Sequence, residues 1–140
     1  MLNESTGALA LVVDKWDPKF EAETGNTLVE YAGRGLGVPD DYTEPPAEGS
    51  YVGTYTYKPD GSWTGAGSGI ETFKGGDTTY YIWEESSDNL KENTYKYTGG
   101  TGKYKGASGG GTYTLYEGVS GGYTPGTVQG CKYKDEIVLP

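Results

Sequence analysis

The chain has 140 residues, no histidine, a single cysteine and a formal charge of −9 from 20 acidic against 11 basic residues. That length suits one domain burying about two-thirds of its unfolded surface, with no need of a metal or disulfide staple, and Cys131 has no internal partner to form one. Nucleic acid and anionic membranes are not expected as partners, because phosphate surfaces need clustered positive charge and no basic cluster is longer than a pair such as Lys103 and Lys105; no apolar run of about 18 residues is present to span a bilayer.

The residue balance is that of an all-β protein. There are 25 Gly and 14 Tyr against 2 Phe and 1 Met, with a mean hydropathy of −0.65. Glycine serves bulges and positive-φ corners, while tyrosine suits a pleated surface with one wet end. The start of the chain is polar, with no basic segment leading into a long apolar one, so no signal peptide is visible. A mature exported chain, periplasmic or secreted, is the compartment this composition suits.

In chain order, Leu9 to Val13 is a short apolar run and Thr27 to Tyr31 alternates as a strand. Between them, Asp17 and Pro18 are placed to cap and open a short helical turn that ends at Gly25-Asn26. Residues 35–49 read as a Pro-rich loop, with Pro45 and Pro46 excluding both helix and central strand, so residues 1–48 form the less regular part of a single domain. From Ser50 the alternation is regular, placing Tyr51, Tyr55 and Tyr57 on one face and Val52, Thr54 and Thr56 on the other. Lys58-Pro59-Asp60-Gly61 signals a hairpin. The next strand, Ser62 to Thr72, carries Trp63, Gly65, Gly67 and Gly69 on one face, a glycine row over which a bulky neighbour can lie flat.

Gly75-Gly76-Asp77 turns the chain into a strand from Thr78 to Glu85, and Ser86 to Asn89 turns it into another at Thr94 to Tyr97. After the glycine segment from residue 99 come a Gly/Pro-rich corner at 118–126 and closing strands at Thr127 to Lys134 and Glu136 to Leu139. The sum is about eight short strands at the spacing expected of a small antiparallel barrel or sandwich, and a barrel leaves no exposed sheet edge.

One segment is more specific. Gly99-Gly100-Thr101-Gly102-Lys103-Tyr104-Lys105-Gly106-Ala107-Ser108-Gly109, followed by Gly110-Gly111-Thr112-Tyr113, resembles the glycine turn and aromatic anchor of the allene oxide cyclase-like barrels, the group that includes dirigent proteins. The strand order over residues 49–140 is compatible with that resemblance, whereas residues 1–48 match no named family. It implies an eight-stranded barrel around an apolar cavity, assembled as a homo-oligomer (dimer or trimer), acting on or orienting a small, partly apolar organic molecule without a cofactor. The catalytic acids of the cyclases and the paired aspartates of dirigent proteins do not map onto identifiable positions.

The absence of histidine excludes a Ser-His-Asp triad, a Cys-His pair and a His-ligated metal or haem. In its strand, Cys131 reads as a small buried hydrophobe. Asp40, Asp41, Glu44 and Glu48 lack the spacing of a calcium loop and read as solvating acids, so no metal is expected. Proton transfer would fall to carboxylates within strands, Glu71 and Glu84. Glu84 shares a face with Tyr80 and Ile82, and one residue of register decides whether that face or the one with Tyr81 and Trp83 points inward. Tyr55, Tyr57, Trp63, Tyr81, Trp83, Tyr97 and Tyr113 are the candidate walls of a ligand pocket. The expected function is a small-molecule-binding barrel acting as an isomerase or cyclase by positioning; the alternative is a non-catalytic exported protein that binds through its outer surface.

Overall fold

The computed structural model describes residues 2–89, 91–115 and 128–140. Its strands are β1 (Leu2–Phe20), β2 (Thr27–Pro39), β3 (Ala47–Tyr57), β4 (Trp63–Phe73), β5 (Thr78–Ser86), β6 (Asn93–Gly100), β7 (Ser108–Leu115) and β8 (Val128–Val138). Each pairs antiparallel with the next, and β8 returns to β1 with Leu2 opposite Val138, which closes the barrel. The expected Gly/Pro-rich corner at 118–126 lies outside the described residues.

Interior packing follows from one pairing rule. Gly53 lies opposite Gly67, and Gly67 lies opposite Trp83. A Cβ on Gly53 would sit 2.5 Å from Trp83 Cζ2, and one on Gly67 2.6 Å from the same atom, so the indole lies across two bare backbones. Gly65 stands in the same relation to Tyr55, and Gly69 to Tyr81. A small barrel interior holds large rings only where the facing positions are small.

The register puts Tyr51, Tyr55, Tyr81 and Trp83 inside, each less than a tenth exposed, and leaves Val52, Ile70, Tyr80 and Ile82 outside. Lys58 to Gly61 forms the expected hairpin turn, with Gly61 at φ 88°. The glycine segment forms a short 3-10 turn at Gly102–Tyr104, which buries Tyr104 against Phe73 at 4.6 Å between ring centres.

The first 48 residues depart from expectation. The helical turn at Asp17 does not form; β1 runs on to Phe20, and Pro18 pairs with Val29. Beyond Val12, β1 pairs with β2 alone among the described residues, so the missing Pro18 N–H falls where no second ladder needs it. The Pro-rich loop shrinks to residues 40–46, because Gly35 and Gly37 belong to β2 and Glu48 and Gly49 to β3. Gly35 packs on Leu11 and pairs with Gly49, so what reads as loop composition is interior room.

Substituting Gly67→Ala is expected to cost about 1–3 kcal/mol in denaturant unfolding, the usual penalty of overpacking. Gly37→Ala, whose added Cβ meets only Ala47 O at 3.8 Å, should stay within about 0.5 kcal/mol of the parent.

Candidate functional site

The barrel encloses a cavity of about 410 Å³, within the ordinary range of small-molecule sites. Its walls are Tyr31, Tyr51, Tyr55, Tyr81, Trp83, Tyr95, Tyr97 and Tyr113, with Leu9, Leu11 and Cys131 between them. Trp16, Tyr57 and Trp63 stack beneath Tyr55, at 5.2 Å between the Trp16 and Tyr55 rings and 6.0 Å between Tyr57 and Trp63, and plug the end of the barrel that carries the β1–β2 and β3–β4 hairpins. The cavity reaches the opposite end, where Glu44, Pro45, Lys103 and Tyr104 stand at its rim. Residues 40–46 are held there by Thr6 Oγ1 donating to Asp40 at 2.9 Å and Ser5 Oγ donating to Glu44 at 3.1 Å.

Three acids point inward, each gripped by two tyrosine hydroxyls. Tyr51 and Tyr81 both donate to Glu71 Oε1 at 2.8 Å. Tyr113 donates to Glu85 Oε2 at 2.9 Å and Tyr55 reaches the same carboxylate at 3.1 Å. Tyr95 and Tyr97 both donate to Asp135 Oδ2 at 2.6 Å. The glycines make these reaches possible: a Cβ on Gly49 would collide with the Tyr51 hydroxyl and stand 3.0 Å from Glu71 Oε1.

Burial dominates the electrostatics. It pushes the Glu71 carboxyl up to about 7, against the pull of its two tyrosine hydrogen bonds, with the Asp135 charge adding to the rise. Glu85 and Asp135 are raised by the same desolvation, opposed by their own tyrosine pairs. The six tyrosines rise far above the ordinary phenol range, through burial first and the neighbouring carboxylates second, and stay protonated donors. Glu71 Oε2 and Thr79 Oγ1 are buried with no hydrogen-bond partner, and the two residues are cross-strand neighbours on β4 and β5. A carboxyl poised near neutrality, with one oxygen engaged and one free, can both give and accept a proton.

Of the residues singled out in the sequence, Glu71, Tyr55, Tyr81, Trp83, Tyr97 and Tyr113 line the cavity. Glu84 does not. It faces outward on β5, on a polar groove with Thr54, Thr64 and Thr94, because Tyr81 and Trp83 take the inward positions. Tyr57 and Trp63 belong to the plug, not to the cavity wall. Glu85 and Asp135 were missed, although each continues an alternating set: Tyr81, Trp83, Glu85 on β5 and Cys131, Tyr133, Asp135 on β8. Cys131 is buried, and desolvation lifts its thiol to about 12.

No protein-family model matches the chain, and no curated protein matches it. Solved structures that share its shape include two dirigent proteins. The pterocarpan synthase dirigent protein GePTS1 superposes with a TM-score of 0.63 at 16% identity, over 99% of this chain and 88% of that one. The pterocarpan synthase dirigent protein PsPTS1 does so with a TM-score of 0.61 at 13% identity, over 99% of this chain and 96% of that one. The fold is therefore the eight-stranded dirigent-type barrel, and the match takes in the first 48 residues, for which the sequence showed no resemblance.

An acid whose folded value is raised loses stability as pH climbs from its free value to its folded one. For Glu71 that window runs from 4.5 to about 7. Unfolding free energy should therefore fall by about 3 kcal/mol across it from this group alone, and Glu71→Gln should remove that share of the slope in urea titrations at a series of pH values. Cys131 should resist a thiol reagent such as dithionitrobenzoate until the chain unfolds, whereas rapid labelling of the native protein would contradict its burial.

Proposed function

We propose that the barrel binds a small, partly apolar organic molecule in its cavity and isomerises or cyclises it without a cofactor. The observation that carries this reading is Glu71, an acid poised near neutrality on the wall of an aromatic chamber, held by two tyrosines through one oxygen with the other left free. The protonated carboxyl gives its proton to an oxygen or unsaturated carbon of the substrate and becomes a carboxylate. The substrate rearranges in the conformation the rings impose and returns a proton to Glu71, so the isomerisation balances with no net proton change. Positive charge arising on the substrate meets ring faces and the Glu85 and Asp135 carboxyls, which favour it. Holding a flexible molecule in one reactive shape supplies the rest of the acceleration. The shared shape with the two dirigent proteins supports a substrate-positioning role.

The outer wall supports a second reading. Val52 is 53% exposed, Ile82 47% and Ile70 44%. They adjoin across β3, β4 and β5, since Val52 and Ile82 both face Ser68 and Ile70 faces Tyr80. Such a patch suits self-association into a homo-oligomer or contact with another protein.

Ala47→Phe, which narrows the cavity near its rim, should abolish binding of a small-molecule library hit detected by quenching of tryptophan fluorescence, with the circular dichroism spectrum unchanged. Glu71→Gln should keep binding of a neutral hit within about threefold while slowing any turnover by about 10²-fold or more. A protein working only through its outer wall would ignore both changes and instead lose its oligomer or partner with Ile82→Lys.

A further inference from the structure

The hydrogen bonds of the three inward acids have one sign. Six tyrosine hydroxyls spend their protons on Glu71, Glu85 and Asp135. The indole N–H of Trp83 is spent on Ser68 O at 3.2 Å. What these groups leave facing the chamber is carboxylate oxygen, phenol lone pairs and ring faces, all of which attract positive charge. Among the described residues the lining holds five acids, Glu4, Glu44, Glu71, Glu85 and Asp135, against one base, Lys103. That lysine lies 4.9 Å over the Tyr104 ring at the rim and does not neutralise the interior.

Two polar atoms on one wall stand without partners within this field. Thr79 is 1% exposed, lines the cavity and leaves its hydroxyl without a partner. Directly across the ladder, Glu71 leaves Oε2 in the same condition. An unpartnered carboxylate oxygen beside an unpartnered hydroxyl, whose lone pairs can accept, suits a group that carries several protons and a positive charge, which is the description of an ammonium. A carboxylate or phosphate placed there would face three acids with no base beside it.

We propose that the cavity is selective for positive charge: it holds an organic ammonium on an aromatic or aliphatic body more tightly than the isosteric alcohol and rejects the isosteric carboxylate, with the ammonium seated between Glu71 and Thr79. This rests on the small-molecule reading above. An ammonium paired with the Glu71 carboxylate is the stable counterpart of a neutral substrate that has just taken the Glu71 proton, so such amines should also act as competitive inhibitors of whatever neutral molecule is turned over. The acidic rim and the overall charge of −9 draw the same class of ligand toward the mouth.

The test uses matched triplets that differ only in the terminal group, titrated calorimetrically into the full chain. One set is tyramine, tyrosol and 4-hydroxyphenylacetate; a larger set is tryptamine, tryptophol and indole-3-acetate. In at least one set the amine should bind at least about tenfold tighter than the alcohol, the difference a charged buried hydrogen bond makes, and the carboxylate should show no binding. Glu71→Gln should bring amine and alcohol to within about threefold of each other, and the near-isosteric Thr79→Val should reduce the preference without affecting folding. Alcohol or carboxylate binding as tightly as the amine would overturn the charge selectivity and leave the small-molecule reading standing. So would a preference that survives both substitutions and vanishes in high salt, since it would belong to the rim. Binding of none of the six would overturn the small-molecule reading and the charge selectivity together.

Discussion

The constraint on which this barrel depends is room. Eight strands closed into a barrel enclose too little space for a wall of tyrosine and tryptophan unless the facing backbone is bare, and the ladder supplies a glycine opposite the central rings: Gly67 for Trp83, Gly69 for Tyr81, Gly65 for Tyr55. The rings then lie flat across the bare backbone of the neighbouring strands, which leaves the chamber between them. Glycine inside a strand costs backbone entropy, and burial of the rings offsets that cost. The same bare positions let tyrosine hydroxyls extend to acids on the next strand, as Gly49 does for the Tyr51–Glu71 contact. Packing and chemistry thus rest on one device.

The three carboxyls are the second consequence. An acid buried without a cation usually neutralises, and the two hydroxyls on each one work against that by stabilising the charged form. Glu71 is left between the two effects, near neutrality. A salt bridge would have pinned it ionised, and a dry apolar site would have pinned it protonated. Tyrosine is the partner that does neither, because its own proton is held far more tightly and is not given up to the acid. Stability is forgone at neutral pH to keep such groups inside, which is the usual mark of a functional site.

The exterior obeys different rules. Closure removes sheet edges, so the outer faces of β3, β4 and β5 can carry Val52, Ile70 and Ile82 without offering a strand to pair with. The Thr-lined groove that contains Glu84 opens on the outer side of the wall, and Glu85 borders both that groove and the chamber. Of these two carboxylates adjacent in sequence, Glu84 stays exposed while Glu85 turns inward to the hydroxyls of Tyr55 and Tyr113.

Fold class was readable in the chain alone, because alternation and turn chemistry are local: the hairpin at Lys58 to Gly61, the turn at Gly75-Gly76 and the strands between Ser50 and Tyr97 were legible, whereas the two closing strands expected at Thr127 to Lys134 and Glu136 to Leu139 are one continuous strand, β8, held along its length by β1 and β7. The sequence also determined that no histidine chemistry is available, and it marked Glu71 and most of the ring wall. It misjudged the first 48 residues, where Asp17-Pro18 and the glycines of β2 carry local signals for a helix cap and a loop that long-range pairing overrides. Which acids face inward is set by long-range pairing. The side-chain period of a strand is two, so a single step of register exchanges Glu84 for Glu85, and the register is set by how Trp83 and Tyr81 find their glycines across the sheet, not by anything within β5. Asp135 became a site residue for the same reason: the closure of β8 onto β7 and β1 places it under Tyr95 and Tyr97, two strands away in the barrel and 40 and 38 residues away in the chain.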